Sequence, residues 1–134
     1  MGAAENKRLI TGVFDELSSG NGRPFTEMLA DDVRWTVVGT SRWGRTYEGK
    51  RAVIDELMRP LFGQFADRYR AQATSITAED DRVVVEARAT ATTKSGQPYN
   101  QTYCYVFRLA NGKVAELSEY TDTELISRVL EPPD

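Results

Sequence analysis

The 134-residue sequence has no histidine and a single cysteine. Without histidine the commonest metal ligand and the commonest acid/base group are missing, and every catalytic unit built on an imidazole is excluded. One thiol, Cys104, can form no internal disulfide and supplies no thiolate-rich zinc site. With no imidazole to activate it, Cys104 reads as a structural side chain rather than a nucleophile. No compact acidic cluster replaces these ligands, so neither a metal nor a cofactor is expected. Proton transfer is left to carboxylate, tyrosine, lysine or water.

Long hydrophobic runs are missing too. No segment approaches the roughly 18 apolar residues that span a bilayer, and no membrane association is expected. The opening MGAAENKRL lacks the apolar core of a secretory signal. Asn6 stands where a myristoylation site needs Ser or Thr. A cytoplasmic location is the expectation. The net charge of −3 and isoelectric point near 5.1 give no basic footprint for nucleic acid. Arginines gather at Arg42, Arg45 and Arg51 and at Arg68 and Arg70, but acids are interspersed, which is the pattern of a solvated face.

A chain of this length is expected to form one domain over residues 1–134. Residues 6–17 carry Leu9, Ile10, Val13, Phe14 and Leu17 on the stripe of an amphipathic helix, closed by Ser18-Ser19-Gly20-Asn21-Gly22. A short helix is expected at residues 24–29, with Pro24 in its first turn. Asp31-Asp32 then turns the chain into a strand with Val33, Trp35 and Val37 on one face. Residues 41–49 read as a glycine-punctuated loop holding Trp43 and Tyr47. A third helix is expected over residues 50–65, kinked by Pro60 or ending a first segment near Arg59. Strand-like stretches follow at 69–78, 82–93 and onward, and a short helix at 123–130 ends the chain. Helices first and a meandering sheet second is the α+β pattern.

The densest information lies in residues 96–122, GQPYNQTYCYVFRLANGKVAELSEYTD. Asn111-Gly112 predicts a tight hairpin, because both residues tolerate positive φ. Alternation puts Tyr99, Gln101, Tyr103, Tyr105, Phe107 and Leu109 on one strand face, and Ala115, Leu117, Glu119 and Thr121 on one face of its partner. If the two faces coincide, the Glu119 carboxylate stands among phenols and aromatic rings. Asp122 has the opposite parity and is expected to face away or to cap the last helix.

The order of a helix, LADDVRW, a glycine-rich loop ending YEGKRAV, a helix, then VVVEA, YVFRLANGKV and EYTD resembles the SnoaL-like and ketosteroid-isomerase-like proteins of the nuclear transport factor 2-like superfamily. The resemblance covers about residues 8–130. It implies a cone-shaped α+β barrel: a curved, mostly antiparallel sheet wrapped around three N-terminal helices, with a short C-terminal helix. It also implies a small apolar ligand inside, and a homodimer through the outer sheet face. Ketosteroid isomerases use a tyrosine in the first helix, an aspartate base ending the first strand and a protonated aspartic acid in the penultimate strand. Val13, Val37 and Tyr105 fall at those positions, so none of the three groups is retained, although Tyr105 can donate to an oxyanion. Limonene-epoxide hydrolases carry a functional acid where Glu119 falls, but their second acid and intervening arginine have no counterpart here.

A catalytic set of Glu119 as general base with Tyr105 and Tyr103 as oxyanion donors is therefore expected, performing isomerisation, cyclisation or hydration of an apolar carbonyl or polyketide-like compound. Trp35, Val37, Val13, Phe14, Leu57, Phe107, Leu117 and Gln101 are the expected ligand-facing residues. Two alternatives stand beside it: a non-catalytic binding module for an apolar metabolite, and a purely structural polar network around Glu119. The Trp43 loop is expected to be a lid or a dimer contact.

Overall fold

The computed structural model describes residues 2–133. Helix α1, Ala3–Ser18, buries Asn6, Ile10, Val13, Phe14 and Leu17 along one stripe. Gly20, at φ +92°, turns the chain away, and α2, Arg23–Met28, follows with proline in its first turn. One sheet of six strands is built from β1 (Leu29–Val37), β2 (Thr46–Glu48), β3 (Arg70–Glu79), β4 (Arg82–Thr90), β5 (Gln101–Ala110) and β6 (Lys113–Thr121), in the order β2-β1-β6-β5-β4-β3. Strands β1 and β6 run parallel and the other pairs antiparallel. Helix α1 lies against the inner face, with the Phe14 ring 5.7 Å from Tyr105 and 6.2 Å from Phe107. This is the expected α+β cone.

Three register shifts, in β1, β3 and at the β5–β6 pair, give the sheet the local bends that let it wrap the helices. The shift between Arg108 and Leu109 also corrects one expectation. Val114, not Ala115, pairs with Leu109 and points inward, 1% exposed. Past the bulge the parity is as expected: Leu117 faces Phe107 and Glu119 faces Tyr105. Asn111 and Gly112 have φ of +53° and +77°, the two positive angles a type I′ hairpin requires.

Four other expectations are corrected. Asp31 and Asp32 do not turn the chain; they sit within β1, in its irregular half between the Leu29 and Arg34 pairings. The loop 41–49 contains β2, whose three residues pair with Arg34, Trp35 and Thr36. Trp43 is 4% exposed, because it packs beneath the end of the chain beside Ile126 and Leu130; Tyr47 fixes that loop by donating its hydroxyl to the Trp43 carbonyl at 2.9 Å. The strand expected over 82–93 ends at Thr90, and only isolated bridges continue it.

The third helix ends at Phe62 and is not uniform. It comprises α3 (Lys50–Ala52), a π-helical stretch Val53–Met58, and α4 (Arg59–Phe62). Pro60 supplies the cause: its ring crowds the carbonyl four residues back and it has no N–H to donate. The wider turn relieves both, with the Arg59 N–H reaching back to the Ile54 carbonyl. Helix α5, Thr123–Val129, is capped by the Asp122 carboxylate, which accepts the Leu125 N–H at 3.2 Å.

Candidate functional site

Between α1, α2, the third helix and the inner sheet face lies a chamber of about 70 Å³. Phe25 and Thr26 of α2, Leu57 and Met58 of the π-helical stretch, and Leu61 and Phe62 of α4 form its helical walls. Trp35 of β1, Tyr69, Tyr103 and Tyr105 of β5, and Glu119 of β6 form the sheet wall, and Leu17 and Gly22 complete it. Leu57 and Met58 both come from the last turn of the π-helical stretch.

Among the described residues, Glu119 is the only acid on these walls, and no basic side chain joins it. Strand β6 is central, so Glu119 is flanked by Tyr105 on β5 and Val37 on β1. Its Oε1 accepts the Trp35 Nε1–H at 3.1 Å, its one hydrogen-bond donor among the described residues. The residue is only partly covered, since the carboxyl opens on the chamber, yet it stands deep among side chains. Burial therefore lifts its pKa to about 7, while the Trp35 N–H pulls weakly the other way.

The phenols form a connected group. Tyr69 donates to the Tyr103 hydroxyl at 2.7 Å, and the Tyr103 and Tyr105 rings stack at 4.8 Å between centroids and 12° between planes. Burial pushes the pKa of all three upward. They stay protonated at neutral pH and are available as hydrogen-bond donors.

A second, outer cavity of about 240 Å³ abuts the chamber, sharing Leu17, Gly22, Phe62 and Tyr69 with it and adding Gly20, Phe65, Asp67 and Arg68. Phe62, 42% exposed, stands at this junction. Asp67 accepts the Thr92 N–H at 2.7 Å, and Arg68 reaches the Gly20 carbonyl at 3.4 Å.

Of the residues expected from sequence, the structure brings Glu119, Tyr105, Tyr103, Trp35 and Leu57 onto the chamber wall. It places Val37, Val13, Phe14, Phe107 and Leu117 in the packed core instead. Gln101 is 1% exposed and fully used elsewhere. Its Oε1 accepts the Thr102 and Asp122 N–H groups at 2.9 and 2.8 Å, and its Nε2 donates to Tyr99 Oη and the Asp122 carbonyl at 3.1 and 3.2 Å. Tyr69, Phe25 and Met58 were not anticipated. Tyr69 sits just ahead of β3 and meets Tyr103 across 34 residues of sequence, a contact no local pattern announces. Among the described residues, no group of three or more His, Cys, Asp or Glu side chains is gathered to hold a metal, and no helix is long and apolar enough to cross a membrane.

The fold is an α+β cone with an acid-bearing aromatic chamber on its inner sheet face. A profile of the SnoaL-like domain matches residues 10–117, and the chain belongs to that family. Among solved structures it is similar to a provisionally assigned SnoaL-like polyketide cyclase from Jannaschia sp. CCS1, at 24% identity and TM-score 0.78, covering 98% of this chain and 95% of that one. It is similar to Bal32a from a soil-derived mobile gene cassette, at 24% identity and TM-score 0.80, covering 96% and 98%. It is also similar to an LEH-like epoxide hydrolase from M. tuberculosis, at 19% identity and TM-score 0.70, covering 96% and 90%. At these identities the likeness speaks for the fold. A comparison with curated proteins finds no match.

Proposed function

We propose that the protein catalyses cofactor-independent proton transfer on a small, largely apolar carbonyl compound, with Glu119 as the base. The observation that carries this reading is a carboxyl with a pKa near 7 in the same chamber as three protonated phenols. A base poised near the working pH is ionised in about half the molecules and still strong enough to accept a proton. Ionised Glu119 takes a proton from the carbon next to the carbonyl. The electron pair moves onto the carbonyl oxygen, and a Tyr105 or Tyr103 hydroxyl donates a hydrogen bond to the enolate. Tyr69, donating to Tyr103, strengthens the Tyr103 hydroxyl as a donor. Glu119 then returns the proton to another carbon of the conjugated enolate, which isomerises the compound, or the enolate carbon attacks a second carbonyl carbon of the same molecule, whose oxygen takes the electron pair and then the proton held by Glu119.

Solvent exchange tests this. In D2O, small cyclic enones and aryl ketones exchange their α-protons with the wild-type protein, and Glu119→Gln abolishes exchange while retaining ligand affinity. Unchanged exchange in that variant refutes the reading. A second reading is a binding module without turnover, in which the chamber of about 70 Å³ holds only part of a ligand. That volume is about half the ~150 Å³ of a cavity that admits benzene. Under that reading Glu119→Gln changes affinity or stability, and no exchange occurs in either protein.

The ligand is proposed to be apolar and the protein to form a homodimer through the outer sheet face. There Tyr120, 48% exposed, stands beside Cys104, with Glu86 of β4 on the other side of Cys104. Sedimentation should give a dimer that Tyr120→Glu dissociates; a wild-type monomer at high concentration contradicts it. A cytoplasmic location is consistent with this chemistry.

A further inference from the structure

The chamber has a charge preference that carbonyl chemistry does not use. Six aromatic residues, Phe25, Trp35, Phe62, Tyr69, Tyr103 and Tyr105, stand on its walls. The Glu119 carboxylate has one hydrogen bond, from Trp35, and no counter-charge. A carboxylate set among side chains without a cation keeps much of its desolvation cost, and aromatic faces carry negative potential that attracts cations. The carboxylate and the aromatic rings of the walls favour a positive guest. An anionic guest meets the carboxylate with no cation to receive it. A neutral guest gains no charge pairing from Glu119, whichever its protonation state.

We propose that the chamber binds organic ammonium ions, taking the ammonium head of a small apolar amine against Glu119 and the aromatic walls, with the amine's carbon skeleton in the outer cavity. The inference rests on the reading that this chamber is the functional pocket, and it assigns the charge class of a ligand whether or not turnover occurs there. Size agrees. The chamber's 70 Å³ is the space of about two waters at ~30 Å³ each, enough for a head group and too little for a fused ring system. The adjoining 240 Å³ takes the rest. A primary ammonium brings three N–H donors for the second Glu119 oxygen and the phenol oxygens. The charged groups at the outer cavity are one of each sign, Asp67 and Arg68, so the entrance does not oppose a cation.

The test compares benzylamine, benzyltrimethylammonium, benzyl alcohol and benzoate by calorimetry at pH 8, with NMR of labelled tyrosine reporting occupancy of the chamber. At least one ammonium probe is expected to bind about tenfold or more tighter than benzyl alcohol, with benzoate weakest. Glu119→Gln should erase that preference while benzyl alcohol affinity is retained. An independent check needs no variant. Between pH 8 and pH 5 the wild-type affinity for the ammonium probe should fall at least tenfold as Glu119 takes up its proton, with benzyl alcohol unaffected. The other titratable groups near Glu119 are the Tyr47, Tyr69, Tyr99, Tyr103 and Tyr105 phenols, whose burial raises their pKa so that they stay neutral throughout. Benzyl alcohol binding as tightly as both ammonium probes, or a preference that survives Glu119→Gln, overturns the ammonium proposal and leaves the carbonyl reading standing. If none of the probes shifts the chamber tyrosines while a ketone does, the ammonium proposal alone fails. If the ketone is silent as well, the pocket reading falls with it.

Discussion

Replacing Glu119 with glutamine should stabilise the protein, but only where the carboxyl is ionised. The folded state binds this proton more tightly than the unfolded chain does, because burial raises the pKa from 4.5 to about 7. Wild-type stability therefore falls as pH rises through that window, and levels off above it. At ~1.4 kcal/mol per pH unit the full cost is about 3 kcal/mol. Because the carboxyl opens on the chamber, solvent screens part of this, and about 2 kcal/mol is the expected gain for Glu119→Gln at pH 8. Glutamine keeps an oxygen for the Trp35 N–H, so no hydrogen bond is lost. At pH 4 the wild-type carboxyl is protonated in both states and the two proteins should unfold alike. Thermal unfolding reads this directly: about 8 °C in favour of the variant at pH 8, shrinking to nearly nothing at pH 4. A variant that is less stable at pH 8, or an offset independent of pH, refutes the assignment of Glu119 as a desolvated acid. Stability given up at one residue in this manner is what a functional group costs its fold.

Other perturbations separate the site from its scaffold. Gln101→Leu removes the buried amide that accepts the Asp122 N–H and donates to its carbonyl, and should cost about 1–3 kcal/mol in urea unfolding without altering the Glu119 titration. Gly112→Ala forces a side chain onto φ +77° and should cost about 1 kcal/mol in the same assay. Tyr69→Phe removes the donor to Tyr103 and should slow ketone proton exchange about tenfold, with the exchange pH profile still centred near 7.

Much of the fold was legible because its signals are local. The α1 stripe, Pro24 opening α2, Asn111-Gly112 and Asp122 ahead of α5 each act within a few residues, and each is where the sequence predicts. What was not legible depends on distant partners. The bulge that turns Val114 inward exists only against β5, and β2 is a strand only because β1 offers it an edge. Trp43 is buried because the end of the chain folds back over it.

The site divides in the same manner. Strand parity puts Glu119, Tyr103 and Tyr105 on one face, and pairing puts Trp35 beside them. Parity says only that a side chain points inward, not whether it meets space or other atoms. Phe14, Phe107 and Leu117 point inward and fill the core, while Gln101 is consumed by the backbone of residue 122. Tyr69 opens an alternating run, but nothing local says that it meets Tyr103, and a helical stripe that includes Leu57 does not announce a π turn.

The most direct measurement is the ionisation of Glu119 itself, followed by carboxyl-carbon NMR in protein labelled at glutamate and assigned by its absence in Glu119→Gln. A single titration near pH 7, moving to lower pH when an organic ammonium ion is bound, is the result predicted. A titration near 4.5 that ignores every ligand would mean the carboxyl is solvated and the chamber is not a site of proton transfer.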